Sequence, residues 1–340
     1  MTTRPRILTG DTPTGRLHLG HYVGSLENRI RLQRDHDCYL LIANVHAFTT
    51  RAAHPDEIRR DTLEIARDSL AAGIDPERAT FVVQSEIPAI AELTFLLAML
   101  IPYSRVMRNP TLKDEIRSKQ LGDHYSFGFP LYAVGQCADI LTFRAHLVPV
   151  GEDQAAHIEM TREVARRFNQ VYGGEVFPIP ESLIGRVARL PGTDGVEKMS
   201  KSRGNAIYLS DTADDIRKKL ARLYTGRQSP TEPGDPNNVL FQYARAFIPD
   251  EGRVRELADR YARGDNLGDG AVKAEVAAAI DALVAPMRER RARYTDAAVL
   301  EILHEHTRRA NAVAAETLAR AKEAMRLDFT PPGSGSGTSG

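Results

Sequence analysis

Apolar residues in the first half of the chain fall into short unbroken runs, separated by segments in which they recur every three to four positions. Residues 38–45 (CYLLIANV), 80–84 (TFVVQ) and 146–150 (HLVPV) are runs of the first kind, and residues 6–9 form a shorter one. Near-continuous apolar runs of this length mark strands covered on both faces, as in parallel sheets. Between them, residues 20–34 place Val23, Leu26 and Ile30 on one helical face, and residues 56–72 do the same with Ile58, Thr62, Ile65, Ala66 and Leu70. Pro55 followed by Asp56 and Glu57 is a helix start, with acidic side chains at the positive end of the dipole. This alternation predicts βαβ units on a parallel sheet. Beyond residue 190 strand-like runs disappear apart from 206–209, and helical patterns occupy 212–224, 237–248, 251–263, 271–294 and 297–326. Proline and glycine concentrate at the joins, at Pro191, Gly192, Gly195 and 230–236. The pattern therefore predicts a Rossmann-type α/β domain followed by an all-helical domain. Residues 329–340 form a Gly/Ser-rich tail for which disorder is expected.

Composition narrows the class. At 340 residues, 42% hydrophobic and 26% charged, the chain is ordinary for a globular protein of about two domains. Its longest apolar run, residues 95–101, is far short of the roughly 20 residues a membrane-spanning helix needs. The opening MTTRPRIL lacks a secretory apolar stretch, and the two cysteines, Cys38 and Cys137, cannot build a zinc site unaided. A cytosolic protein with reduced thiols and no bound metal is expected. Forty-five basic and 45 acidic residues cancel, which argues against a uniformly basic nucleic-acid coat but not against a local basic face. Residues 198–229 hold such a local excess, with Lys198, Lys201, Arg203, Arg217, Lys218, Lys219, Arg222 and Arg227 against Asp211, Asp214 and Asp215. Arg288, Arg290, Arg291 and Arg293 form a second cluster, whose plainest reading is a solvated helix face.

Two segments carry chemistry. Residues 9–24 (TGDTPTGRLHLGHYVG) lie between the first strand and the first helix, where Gly10, Gly15 and Gly20 let backbone approach a ligand and a helix start offers free N–H groups. The segment suits phosphate, yet matches neither the dinucleotide fingerprint nor the P-loop. His18 and His21 are spaced to face an anion together; taken alone, such a pair more often caps or packs a helix. Residues 197–205 (EKMSKSRGN) form a Ser-rich loop with two lysines, ordinarily a solvated turn.

Taken together, HLGH soon after the first strand and KMSKS about 180 residues later are the paired signature of class I aminoacyl-tRNA synthetases. Residues 135–141 (GQCADIL), 148–159 (VPVGEDQAAHIE) and 161–169 (TREVARRFN) resemble the tryptophanyl-tRNA synthetase family, as does the helix at 310–325. The resemblance covers residues 5–328; tyrosyl-tRNA synthetases are the nearest fold relatives. It implies a catalytic domain over 1–195 binding ATP and tryptophan, a KMSKS loop at 196–205 and a helical anticodon-binding domain over 206–328. It also implies tryptophan, ATP with Mg2+ and tRNA(Trp) as substrates and partners, in a symmetric homodimer. His18, His21, Lys198 and Lys201 would be catalytic. ATP would meet Gly10, Asp11, Thr12, Gly20, Lys113, Gly151, Asp153 and Met199 as well. Tryptophan would meet Leu8, His46, Tyr132, Gln136, Val148, Val150 and Gln154, with Asp139 accepting the indole N–H. Glu152 reads equally well as a helix cap, and Lys113 as a solvated helix lysine.

Departures appear at Leu8, Thr12, His21 and Gln136, where many bacterial members carry phenylalanine, glutamine, asparagine and methionine. They resemble a second bacterial subgroup, some of whose members are extra copies. An auxiliary homologue that forms the adenylate but charges tRNA poorly, or prefers a tryptophan analogue, stays open at this level, as does a nucleotide-binding module without catalysis.

Overall fold

The structure, a computed structural model, describes residues 4–122, 124–151, 154–184, 190–195, 199–201 and 203–329. Five strands, β1 (Arg6–Asp11), β2 (Asp37–Ile42), β3 (Ala79–Val83), β4 (Leu147–Val150) and β5 (Glu181–Ile184), form one parallel sheet in the order β3-β2-β1-β4-β5. Alternate residues of the same strands feed different cores. Ile7, Leu40 and Phe81 join one, while Leu8, Leu41 and Val82 join the other. A strand buried on both faces has no polar side to show, which is why these segments read as continuous apolar runs.

Helices cover both faces. In chain order they are α1 (Leu19–His21), α2 (Glu27–Leu32), α3 (Asn44–Arg51), α4 (Pro55–Ala72), α5 (Pro88–Ala98), α6 (Tyr103–Met107), α7 (Pro110–Ser118), α8 (Gly128–Thr142) and α9 (Ala155–Tyr172). The helical half follows, with α10 (Ala213–Ala221), α11 (Val239–Phe247), α12 (Glu251–Arg263), α13 (Asp269–Arg291) and α14 (Asp296–Ala324). The last helix returns to the sheet and seals its β3 edge: His306 Nδ1 accepts from the Phe81 N–H at 3.2 Å and Thr307 Oγ1 from the Val83 N–H at 3.2 Å. Those edge donors would otherwise stand unpaired under the helix.

Strand order reverses between β1 and β4, so the crevice beyond their carboxyl ends, at Gly10–Asp11 and Val150–Gly151, is the natural ligand site of such a sheet. Three elements differ from the periodicity reading. β5 (ESLI) is only four residues long and largely exposed, with just two apolar residues, so it carries no apolar run to detect. The helix expected over 20–34 is interrupted by a π-helical segment at Tyr22–Leu26, around Gly24. Residues 206–209 join no sheet; they pair with the HLGH segment, Leu19 N–H donating to Ile207 O at 2.9 Å and Leu209 N–H to Leu17 O at 3.0 Å.

Three of the four clustered arginines, Arg288, Arg290 and Arg291, do not form a solvated face, whereas Arg293, just beyond α13, is exposed. Arg291 Nε donates to Asp68 Oδ1 at 2.7 Å and its Nη2 to Glu64, Arg290 Nε donates to Ala71 O at 2.6 Å, and Arg288 Nη1 donates to Asp211 O at 2.9 Å. The bonds of Arg290 and Arg291 lock α13 onto α4, and that of Arg288 ties it to the segment before α10. Arg227 is likewise a core residue, paired with Asp269 and placed 4.0 Å over the Tyr261 ring. Asp68 is buried, and burial holds its carboxyl above the usual range despite Arg291. Removing one partner of such a pair strands a buried charge. Arg291→Ala is therefore expected to lower unfolding stability by about 3 kcal/mol in a urea titration; a loss within experimental error would show that the pair is not structural.

Candidate active site

The first signature segment is held from both sides. Leu17 N–H donates to Asp68 Oδ2 at 2.7 Å, one residue before His18. His18 N–H donates to His21 Nδ1 at 3.2 Å, and the two imidazoles lie 3.8 Å apart, centroid to centroid. A methyl group on Gly20 would meet the His18 ring at 3.0 Å, so glycine lets that ring lie over the helix start. At the end of β1, Gly10 and Thr12 are exposed and Asp11 is ion-paired with Arg29.

The second segment meets the first directly. Met199 is buried, with its Cβ 3.7 Å from where a Gly20 side chain would start. Lys201 Nζ donates to Gly15 O at 2.7 Å and Thr14 Oγ1 at 3.1 Å, on the glycine turn itself. Burial pushes this ammonium down to about 8, against the pull of Asp11, Asp61 and Asp68. A cleft of about 320 Å³ opens beside it, walled by Thr14, Gly15, Arg16, Arg60 and Tyr208. Asn205, which the sequence reading left without a role, clamps the loop base: Oδ1 accepts from Ser200 N–H at 2.8 Å and Nδ2 donates to Asp194 Oδ2 at 2.6 Å. Gly192 has to be glycine there, since a Cβ would fall 2.1 Å from that amide nitrogen. Lys198, Asp153 and Glu152 lie outside the described residues.

On the other side of the crevice, α8 presents Asp139, 2% exposed in a helix otherwise apolar around it. Gln84 Nε2 donates to both of its oxygens, at 2.8 and 3.1 Å. The ring of His46 is 3.7 Å away and neutral, because burial and then His157 push it down to about 4. With no cation beside it among the described residues, Asp139 is pushed up to about 7 by burial. Glycine at 135 admits the imidazole, for a Cβ there would meet His46 Nε2 at 2.8 Å. Tyr132 and His46 rings stand 5.8 Å apart. The Tyr132 hydroxyl donates to Glu115 Oε1 at 3.0 Å and lies 3.3 Å from His157 Nε2, whose other nitrogen meets Asn109. Leu8 and Val148 are buried in the same core, and Val150 is half-buried at the end of β4. Gln136 Nε2 donates to Gln154 Oε1 at 3.4 Å, beside Gly151.

The fold thus gathers two groups: His18, Gly20, His21, Met199 and Lys201 on one side, and His46, Tyr132, Asp139, Gln136 and Gln154 on the other. Lys113 stands exposed on α7, tied to neither group by any contact among the described residues. Sequence reasoning missed Gln84, Glu115, Asn109 and His157. Gln84, Asn109 and His157 lie at or near the start of a helical turn, where capping is the default expectation, and Glu115 sits within α7, where a solvated helix acid is. A larger cavity, about 610 Å³ between α4 and α14, takes in Asn44 and Ser85 but none of the expected residues.

Similarity agrees with this geometry. A family model for class I tRNA synthetases (W and Y) matches residues 1–285. Tryptophan–tRNA ligases of Treponema pallidum and Clostridium longisporum are each 45% identical, over 96% and 95% of this chain and 98% and 97% of theirs. The crystal structure of tryptophanyl-tRNA synthetase from Campylobacter jejuni, complexed with ADP and tryptophan, has a TM-score of 0.82 and 32% identity over 95% of this chain and 100% of that one. A tyrosyl-tRNA synthetase from Archaeoglobus fulgidus shares the fold at a TM-score of 0.67 and 21% identity, over 84% of this chain and 90% of its own. With paired signature loops and a buried carboxylate on α8 that has no cationic partner among the described residues, the chain belongs to the tryptophan–tRNA ligase family of class I tRNA synthetases.

Proposed function

We infer that the protein is a tryptophan–tRNA ligase, activating tryptophan with ATP and transferring it to tRNA(Trp). The observation that carries this reading is Asp139, an acceptor buried among apolar side chains and held by neutral groups. An indole N–H satisfies such an acceptor, whereas phenylalanine leaves it buried and unpaired. Tyr132, with Gln154 at the crevice, is assigned to the α-amino group of tryptophan; Leu8, Val148 and Val150 supply the apolar wall.

In the first step the tryptophan carboxylate attacks the α-phosphorus of ATP, the α–β bridging bond breaks, and pyrophosphate leaves. In the second, the terminal adenosine 2′-hydroxyl of tRNA attacks the acyl carbon and AMP leaves. Neither step needs a protein nucleophile. Catalysis is positioning and charge neutralisation at the phosphates, which His18, His21, Lys198 and Lys201 are assigned to supply beside Gly10, Asp11, Thr12, Gly20, Gly151 and Asp153. Lys113, exposed on α7, is assigned to the phosphates as well. Mg2+ fits as a companion of ATP: among the described residues no cluster of three His, Cys, Asp or Glu side chains could cage it, and this cation commonly binds through phosphates and water.

For tRNA we assign the anticodon to the helical half, residues 206–328. Of the basic excess after residue 198, Arg217, Lys219 and Arg227 are ion-paired, while Lys218 and Arg222 remain exposed. A homodimer is supported by exposed Phe95 on α5, Met99 at its C-terminal end, Tyr103 on α6 and Phe127 before α8, apolar side chains on one neighbouring set of helices. Among the described residues no helix is long and apolar enough to cross a membrane, and the reading places the protein in the cytoplasm.

Tryptophan-dependent ATP–pyrophosphate exchange and transfer of labelled tryptophan to tRNA are both expected; exchange without transfer would refute the ligase reading. Asp139→Ala should keep the fold and lose most of its preference for tryptophan over phenylalanine, by about 100-fold or more in kcat/KM. An undiminished preference would remove Asp139 from the indole. Lys201→Ala should slow exchange by about 100-fold or more while tryptophan affinity holds. In the parent protein, kcat/KM for ATP should fall as pH rises through about 8, because Lys201 is held there and loses its charge above it. The absence of that fall in the variant would tie it to this lysine.

A further inference from the structure

We propose that Gln84 is the positioning residue for tryptophan selectivity: its amide aims the Asp139 carboxylate and fixes the neutral tautomer of His46. The proposal rests on the ligase reading above and extends it to a side chain that no motif marks.

Gln84 follows β3 in a single 3-10 turn, Gln84–Glu86, and is 4% exposed. Its Oε1 accepts from two N–H groups at the start of α3, Val45 at 3.1 Å and His46 at 3.3 Å. Those donors decide which end of the amide is oxygen, so the NH2 group must face the opposite way. There it meets Asp139 Oδ1 at 2.8 Å, Oδ2 at 3.1 Å and His46 Nε2 at 3.0 Å. An amide nitrogen only donates. His46 Nε2 is therefore an acceptor and the ring proton sits on Nδ1, which agrees with the lowered basicity that burial gives this imidazole. One side chain thus links the ends of β2 and β3 with α8, and every polar atom it carries is used.

Among the described residues no cation or further donor is placed to stabilise the carboxylate. Next to it stand His46 from α3, neutral and 3.7 Å away, and the thiol of Cys137 from α8; behind His46 come Tyr132 from α8 and His157 from α9, and beyond them Glu115 from α7, which is engaged by Tyr132 and Lys119. Among the described residues, Gln84 supplies the hydrogen bonding that opposes the effect of burial on Asp139. Protonation of Asp139 weakens it as an acceptor, so tryptophan affinity falls as pH drops through about 7. Taking the Gln84 donor away raises that midpoint.

The test compares the full-length parent with Gln84→Glu and Gln84→Met. Gln84→Glu keeps an oxygen for the α3 donors but sets a second acid against Asp139. Gln84→Met removes the donor without adding charge. The chain contains no tryptophan, so the emission of bound tryptophan itself reports binding without an indole background. In both variants tryptophan affinity at neutral pH should drop on the order of 10- to 100-fold, with the pH midpoint moved upward. The loss should fall on KM for tryptophan rather than on kcat at saturation, and the preference over phenylalanine should narrow. Unchanged affinity overturns the proposal. So does an equal loss at every pH with an unmoved midpoint, which is what a purely structural residue would give. A parent protein that neither binds tryptophan nor exchanges pyrophosphate overturns the ligase reading and this inference with it.

Discussion

The Asp68 carboxylate accepts the Leu17 N–H and the Arg291 guanidinium at once, each at 2.7 Å, and is 1% exposed. Through the first bond it fixes the backbone one residue ahead of His18; through the second it fastens α4 to α13. A buried carboxylate cannot be left half-satisfied, because an unpaired charge in the interior costs far more than the pair returns. The signature loop, the sheet and the helical half therefore share one anchor. Lys201 inherits its position from it: the lysine rests on Gly15 and Thr14, two residues before the anchored Leu17.

The two halves of the site use charge in opposite ways. Around the glycine turn carboxylates and cations are interleaved, with Asp11 on Arg29, Asp61 on Arg51 and Lys201 on backbone oxygen. Such a surface can exchange partners when a polyanion arrives. Around Asp139 there is no cation among the described residues, only an amide, a neutral imidazole and apolar walls. An acceptor kept free of ion pairs is what recognition of a neutral N–H donor requires. The same logic accounts for glycine at 135 and 20, where close approach of an imidazole leaves no room for a side chain.

Charge counting along the chain misjudged the basic segments for a physical reason. A guanidinium on α13 with Asp68 and Glu64 in reach, or one stacked over Tyr261 beside Asp269, is removed from the surface by partners far away in sequence. Only folding brings those partners near. The same applies to Gln84, whose partners sit 38 and 55 residues along the chain.

Periodicity alone determined the strands β1 to β4 and the five helices of the second half, because burial on two faces or on one stripe writes itself into residue order. The HLGH and KMSKS segments, with GQCADIL, pointed to the family through their joint resemblance to it, since each is a run of consecutive residues that can be matched without a fold. What the order of residues does not contain is pairing at a distance. Short, exposed β5, the π-helical break after His21, the docking of 206–209 against HLGH and the amide that aims Asp139 all depend on groups that meet only when the sheet and its helices close. The tertiary structure decided those, because a hydrogen bond or a buried charge is specified by its partner and not by its neighbours in sequence.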